Sequence, residues 1–325
     1  MTNRYFETQN TDPTINLALE EALLLDDPQM PTLFLWQNAH TVVIGRGQNA
    51  WKECRSDLLA EEGGTLVRRT TGGGAVYHDL GNLNFSFVMP KAIYDVSRQL
   101  DVIRAAVARF GIDAVASGRN DIVLGESGAK FSGNAFRHTQ TASLHHGTIL
   151  MDVDFTKLGR YLQPSRAKLD AKGVQSVRAR VANLKELAPK MTIANLKDAL
   201  FAAFEEEYGQ TDRLDIKEHV AGAQLDELTA KYRDWDWTFG KTPQFDVTLE
   251  QRFPFGSVEL LLRLKNGVVQ TANCYSDAND PELAARLTTA LTGSLFTPET
   301  LSDKLKDSTY LEDQEVAAWL VTQRV

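Results

Sequence analysis

Three consecutive glycines set between two strand-like runs constrain this chain more than any other feature. The segment reads Arg68-Arg69-Thr70-Thr71-Gly72-Gly73-Gly74-Ala75-Val76-Tyr77-His78-Asp79. Glycine accepts positive φ and lets a ligand approach the main chain closely. Successive exposed N–H groups in such a loop form a concavity for anions. The paired arginines are expected to put two fixed positive charges at its mouth, with a planar fork suited to phosphate or carboxylate oxygens. The competing reading is a mobile turn. No GxxxxGK[ST] sequence occurs and no GxGxxG opens a helix, so neither a P-loop nor a Rossmann fingerprint is present. This loop would hold its anion with backbone amides and arginine, without a helix dipole.

The bulk numbers bound the rest. The chain has 325 residues, 43% hydrophobic and 24% charged, an ordinary soluble composition of a length that suggests two domains. A net charge of −8 argues against a broad nucleic-acid footprint. No apolar run approaches the roughly 20 residues that span a bilayer, and residues 1–10 contain no signal-peptide core. The two cysteines, Cys54 and Cys274, indicate neither a disulfide framework nor a zinc site, and suit a reducing cytoplasm.

Periodicity sketches the elements. Asp12-Pro13 caps and starts a helix that carries Leu17, Ala18, Ala22 and Leu25. Leu33–Trp36 and Thr41–Gly45 read as strands joined by a polar turn, and Leu83–Phe87 alternates at period two. Gln99–Phe110 reads as an amphipathic helix, and Asp121–Leu124 with Phe131–Phe136 as a hairpin turned by Gly125–Gly128. Thr192–Tyr208 reads as a long helix. The stretch 234–244 lacks clean periodicity and suggests a boundary. Beyond it, strands around Lys265-Asn266-Gly267 and helices from Pro281 and Thr297 suggest a small α+β domain whose motifs carry no evident chemistry.

Further polar clusters accompany the loop. Lys130 opens Lys130-Phe131-Ser132-Gly133-Asn134-Ala135, where an ammonium could stabilise charge as a carboxylate attacks a phosphate. A solvated surface lysine is the alternative. Asp121 is read as a turn residue or as part of a magnesium–phosphate site. His145 and His146 are adjacent in a strand and so point to opposite faces, which suits pocket wall or core rather than one metal. His78 beside Asp79 suggests an orienting hydrogen bond, since no nucleophile accompanies the pair.

Together these elements closely resemble the bacterial lipoate–protein ligase A family. The matching segments are Thr41–Arg46, Trp51–Cys54, Arg68–Asn82, Ser117–Asp121, Lys130–Ala135, His145–Thr148, Ser176–Leu184 with Arg178, Arg180 and Asn183, and Trp235–Gly240. Thr70-Thr71 in place of a serine pair and Tyr77 in place of phenylalanine are mild departures. The resemblance implies an α+β fold: mixed β-sheets flanked by helices, as in biotin and lipoate ligases, over 1–243, with a small α+β domain over 244–325 that moves during the cycle. It implies activation of lipoate by ATP with Mg2+ to lipoyl-AMP and pyrophosphate. Transfer to a lysine on lipoyl domains of 2-oxoacid dehydrogenase E2 subunits and glycine-cleavage H protein follows. By the same resemblance Lys130 is catalytic, and Arg69, Gly74, Ala75, Val76, Tyr77, Asn82 and Lys130 bind ATP. Lipoate falls to Leu17, Leu19, Glu20, Arg69, Thr71, Gly73, Gly74, His78, Lys130, Ser132, His146, Gly147 and Thr148, and Asp121 to the magnesium end. A cytoplasmic monomer that binds neither nucleic acid nor membrane is expected. The alternatives are an octanoyl or lipoyl transferase of the same fold, which would need a nucleophilic cysteine, and a non-catalytic lipoate-binding protein.

Overall fold

The computed structural model describes residues 2–118, 121–162, 181–220, 222–239 and 247–323, and only the backbone of residues 51 and 52. Arg119, Asn120, Ser176, Arg178, Arg180, Gly240 and the expected boundary at 243/244 lie outside the described residues.

An eight-stranded mixed sheet forms the frame. Its strands are β1 (Asn3–Glu7), β2 (Thr32–Trp36), β6 (Asn82–Pro90), β7 (Ala114–Ser117), β8 (Asp121–Leu124), β9 (Lys130–His138), β10 (Ala142–Leu150) and β11 (Thr211–Arg213), in the spatial order β11-β1-β2-β6-β10-β9-β8-β7. Next to the edge strand β11, β1 runs parallel to both β11 and β2, and the remaining pairs are antiparallel. A second, three-stranded sheet holds β3 (Thr41–Ile44), β4 (Thr65–Arg68) and β5 (Val76–His78), ordered β4-β3-β5. The polar turn after Trp36 therefore carries the chain from one sheet to the other, and β2 and β3 do not pair. Their outer residues are buried in different cores, Leu35 in one and Val42 in another, while Trp36 and Val43 meet in a third between the sheets.

Helices cover both faces of the large sheet. Val96–Ala108 and Ile193–Tyr208 bury Val102, Ile103, Leu200 and Phe204 against Leu83, Phe85 and Phe87. The first begins a turn before Gln99 because Asp95 caps it, accepting from Ser97 N at 2.9 Å. Pro13–Leu25, capped by Asp12, lies on the opposite face with Ala223–Arg233. Buried Glu21 joins these two helices to β9, accepting from Arg137, Lys231 and Tyr232 at 2.7–3.0 Å.

Residues 247–320 form a separate core. The antiparallel sheet β12 (Val247–Phe253), β13 (Gly256–Lys265) and β14 (Val268–Ser276) packs Leu260, Leu262 and Val269 against helices Leu283–Leu291, Pro298–Asp303 and Leu311–Leu320. Asn266 and Gly267 close the β13–β14 turn with φ of 53° and 73°, the left-handed pair a tight two-residue hairpin requires. The expected aperiodic junction holds a short helix, Trp235–Thr238, capped by Asp234.

Candidate active site

The glycine loop leaves β4 and returns into β5, with no helix starting at it. Both arginines turn inward instead of standing at its mouth. Arg68 donates to the carbonyls of Gly45, Arg46, Gln48, Trp237 and Thr238, and so clamps neighbouring backbone. Arg69 donates to Gly72 O at 2.7 Å, Gly74 O at 2.9 Å, Val43 O and Thr71 Oγ1. Burial pushes both guanidinium groups down to about 10, which leaves them charged at neutral pH. A sequence pattern states that arginine is present, not which way its fork turns. Here the loop's own carbonyls outnumber any acidic partner.

That inward fork orients the loop. In a planar trans peptide a carbonyl and the next N–H point in opposite directions. Fixing the carbonyl oxygens of Gly72 and Gly74 on Arg69 therefore turns the amides of Gly73 and Ala75 outward. Gly73 sits at φ +90°, where a side chain would be strained, and a Cβ there would come within 3.0 Å of Arg69 Nη2. Its N–H donates at 2.7 Å to Ala278 O of the small domain. Arg46 pairs with Glu282 nearby. The tail that carried no evident motif thus touches the loop through a backbone oxygen.

A buried network supports the loop from behind. Thr71 Oγ1 accepts from Arg69 Nε and lies 2.8 Å from His146 Nε2, while His146 Nδ1 lies 2.7 Å from Glu20 Oε1. Ser86 Oγ donates to the same Glu20 oxygen and accepts from Trp36 Nε1. The Arg69 charge is therefore linked to Glu20 through two polar side chains. As adjacency in a strand requires, His145 faces away from His146, into the core between Gln99 and Asn134.

Lys130 opens β9 beside this loop. Its Nζ lies 2.6 Å from Asp121 Oδ1, and both side chains are about one-third exposed, 35% and 37%. Gly133 gives the lysine room, since a Cβ there would come within 2.8 Å of Nζ. A cavity of about 150 Å³ joins these parts and is lined by Leu17, Trp36, Val43, Arg69, Gly73–Val76, His78, Asn84, Lys130, Gly133–Ala135 and His146–Thr148.

The expected site residues divide accordingly. Leu17, Arg69, Gly73, Gly74, Ala75, Val76, His78, Lys130, His146, Gly147 and Thr148 line the cavity. Leu19 is buried in a core cluster, and Glu20 and Thr71 lie behind the cavity wall. The Tyr77 side chain packs in another cluster, with its hydroxyl 2.9 Å from His40 Nδ1. Ser132 is fully buried away from the cavity, and Asp121 touches it only through Lys130. Asn82 donates to Asn84 Oδ1 at 2.9 Å, and Asn84 is a lining residue not anticipated from sequence. The alternation over Leu83–Phe87 did place Asn84 and Ser86 on one face. His78 is oriented by Asn38, not by Asp79, which instead accepts from the amides of Gly81 and Asp154. Among the described residues no group of three His, Cys, Asp or Glu side chains could hold a metal. No described helix is long and apolar enough to cross a membrane.

Two layers of helices on a mixed sheet set a glycine loop and an ammonium around one cavity, an arrangement suited to a small anionic ligand. Residues 12–205 match the lipoyl protein ligase A/B catalytic domain, and residues 242–320 match the bacterial lipoate protein ligase C-terminus. The chain belongs to the lipoate–protein ligase family and is an enzyme of the ligase class. Lipoate-protein ligase A of Psychrobacter cryohalolentis is 40% identical over 333 residues, covering 98% of each chain. P. falciparum LipL1, solved in complex with lipoate, superposes with a TM-score of 0.87 at 31% identity, covering 99% of this chain and 100% of the other. A lipoate-protein ligase A bound with ATP gives a TM-score of 0.63 at 26% identity, covering 74% of this chain and 99% of the other.

Proposed function

We propose that the protein activates free lipoate with Mg-ATP and then transfers the lipoyl group to the ε-amine of a lysine on lipoyl domains. The acceptors are those of 2-oxoacid dehydrogenase E2 subunits and glycine-cleavage H protein. The observation that carries this reading is the Lys130 ammonium in the same cavity as the glycine loop. Lipoate and ATP are both anions. A cation between them offsets their repulsion and stabilises the charge that builds as a carboxylate oxygen attacks the α-phosphorus. The bond from that phosphorus to the β-phosphate bridge breaks, and pyrophosphate leaves. The acceptor amine then attacks the acyl carbon, AMP departs, and the amine loses a proton.

The remaining residues take supporting roles. The outward amide of Ala75 receives a phosphate oxygen, while that of Gly73 is held by Ala278 O, and the backbone of Val76 and Tyr77 with Ala75 receives adenine. Leu17, Trp36 and Val43 wall the lipoyl chain. Asn82 serves the phosphate end. A magnesium ion fits this site as a companion of the nucleotide, because Asp121 offers a carboxylate beside Lys130 and Mg2+ normally takes one or two carboxylates plus phosphate oxygens. Bound there, it would neutralise phosphate charge. The same reading divides the chain into a catalytic part, 1–243, and an accessory part, 244–325, acting as a cytoplasmic monomer. The related Thermoplasma acidophilum structure is of a bi-partite ligase and its E2 lipoyl domain, at 28% identity over 76% of this chain. That relation supports a lipoyl domain as acceptor.

Pyrophosphate release on mixing the protein with R-lipoate and Mg-ATP tests the first step. Saturable lipoate binding without pyrophosphate would replace this reading with the non-catalytic lipoate-binding one.

A further inference from the structure

Strand order gives the cavity two ends. Trp36 pairs with Asn84, and Asn84 with Thr148. Thr148 Oγ1 in turn accepts from Gly133 N at 3.3 Å. This row crosses three strand spacings, about 14 Å. Lys130 stands over Gly133 at one end. The His78 ring lies 6.4 Å from the Trp36 ring at the other. An acid with its carboxylate at Lys130 therefore points its far end toward Trp36 and His78.

The protonation of His78 is fixed by a chain of amides. Asn16 Nδ2 lies 3.0 Å from Asn10 O and 2.8 Å from Gln37 O. Backbone carbonyls only accept, so that Asn16 atom is the nitrogen. It also lies 3.0 Å from the Asn38 side chain; its two hydrogens are shared among the three contacts, which suits Oδ1 at that position and disfavours a second NH2 group. Asn38 consequently turns its Nδ2 to His78 Nδ1, at 3.3 Å. A ring nitrogen that accepts carries no proton, so the proton is on Nε2. Burial pushes His78 down to about 3, with Arg69 and His146 adding to the shift, so the ring is neutral. Nε2 is buried and has no partner in the structure, and the ring lines the cavity.

We propose that His78 is a specificity-determining residue, held by Asn16 and Asn38 as an Nε2–H donor that favours the sulfur-bearing ring of lipoate over the methyl tail of octanoate. The inference rests on the ligase reading above. A thioether-like sulfur accepts a hydrogen bond weakly, and a methyl group accepts none. With octanoate bound, a buried donor stays unpaired. A site built around a donor discriminates against the ligand that leaves it unmet. Asn16 and Asn38 are positioning residues in this scheme.

Pyrophosphate release with R-lipoate and with octanoate gives the ratio of kcat/KM values. His78→Phe keeps a flat ring and deletes the donor, and is expected to lower the lipoate-to-octanoate ratio about tenfold. His78→Gln restores an N–H donor and is expected to hold the ratio within about threefold of the unaltered protein. A general packing defect would lower both acids together and leave the ratio unchanged, which would overturn the inference. Unaltered protein that releases pyrophosphate with neither acid would overturn the ligase reading, and this inference with it. Nitrogen-15 spectra of the unaltered protein test the tautomer without any substitution. A proton on Nε2 is expected, moving to include Nδ1 in Asn38→Asp, where the new carboxylate accepts. A proton on Nδ1 in the unaltered protein would overturn the inference.

Discussion

The Lys130 ammonium lies 2.6 Å from the Asp121 carboxylate, across the β8–β9 ladder in which Asp121 faces Gly133. A pair that is about one-third exposed contributes little to stability. Its consequence is placement: Asp121 holds the free end of a flexible side chain at the rim of the glycine-loop cavity. Lys130→Ala is therefore expected to lower adenylation on the order of 100-fold or more, with a melting temperature close to that of the unaltered protein. Near-normal pyrophosphate release would remove Lys130 from the chemistry.

Gly133→Ala tests the same placement without touching the charge. Its Cβ would come within 2.8 Å of Nζ and 3.0 Å of Cε, the far end of a side chain that can swing away. The expected result is a folded protein with kcat reduced about tenfold, because a 1 Å misplacement of a catalytic group can cost up to about 100-fold. A kcat within error of normal would show that the ammonium reaches its position by another path.

Arg69→Met removes a buried cation from four acceptors around the glycine loop. Unpaired carbonyls and a released loop are expected to cost about 2–4 kcal/mol of stability, measured by urea denaturation. The KM for ATP is expected to rise as well, since the outward amides lose their brace. An unchanged KM would mean that the loop holds its shape without Arg69.

Acid is expected to destabilise the fold in two stages. His78 and His145 are pushed down to about 3 by burial, from an ordinary 6.5. The unfolded chain takes up their protons first, so this stability is present above about pH 6.5 and is lost as pH falls toward 3. Burial alone would raise Glu21, but hydrogen bonds from Lys231 and Arg137 outweigh it and hold the carboxyl below its ordinary 4.5. Its share is present above about pH 4.5 and is lost as pH falls through the folded value. Glu21→Ala should cost about 2–3 kcal/mol at pH 7, moderated by the partial exposure of Arg137 and Lys231. It should also flatten only the lower stage. Melting temperatures that stay level from pH 8 to 5 would contradict the histidine assignment, and an unaltered loss of stability below pH 4.5 in Glu21→Ala would contradict the Glu21 one.

The transferase alternative needs a reactive thiol. Cys54 and Cys274 are both buried, and burial pushes Cys54 up to about 12 and Cys274 higher than its ordinary value. Neither lines the Lys130 cavity; Cys274 lines a separate one between the two parts of the chain. The Cys54→Ser, Cys274→Ser protein is expected to keep acyl transfer within about twofold, as exchange of an inert buried thiol allows. Loss of transfer in a folded double variant would restore the covalent route.

Much of the site was legible because its signals are local. Glycines between β-rich runs, a lysine opening a strand and a period-two alternation each follow from neighbouring residues alone. The inward turn of Arg68 and Arg69 was not legible, because it depends on carbonyls from Val43 to Thr238 that only folding assembles. The separation of β2 and β3 into two sheets was hidden for a similar reason, as was the strand β1, whose partner β11 lies some 200 residues on. Ala278 meets the loop with a backbone oxygen, which every residue type carries, so no motif could announce it.

Intact mass of an unmodified lipoyl domain, incubated with the protein, R-lipoate and Mg-ATP, tests the central claim most directly. The account predicts a gain of one lipoyl group on a single lysine, dependent on ATP and abolished in Lys130→Ala. An unmodified domain, or modification that proceeds without ATP, would contradict it.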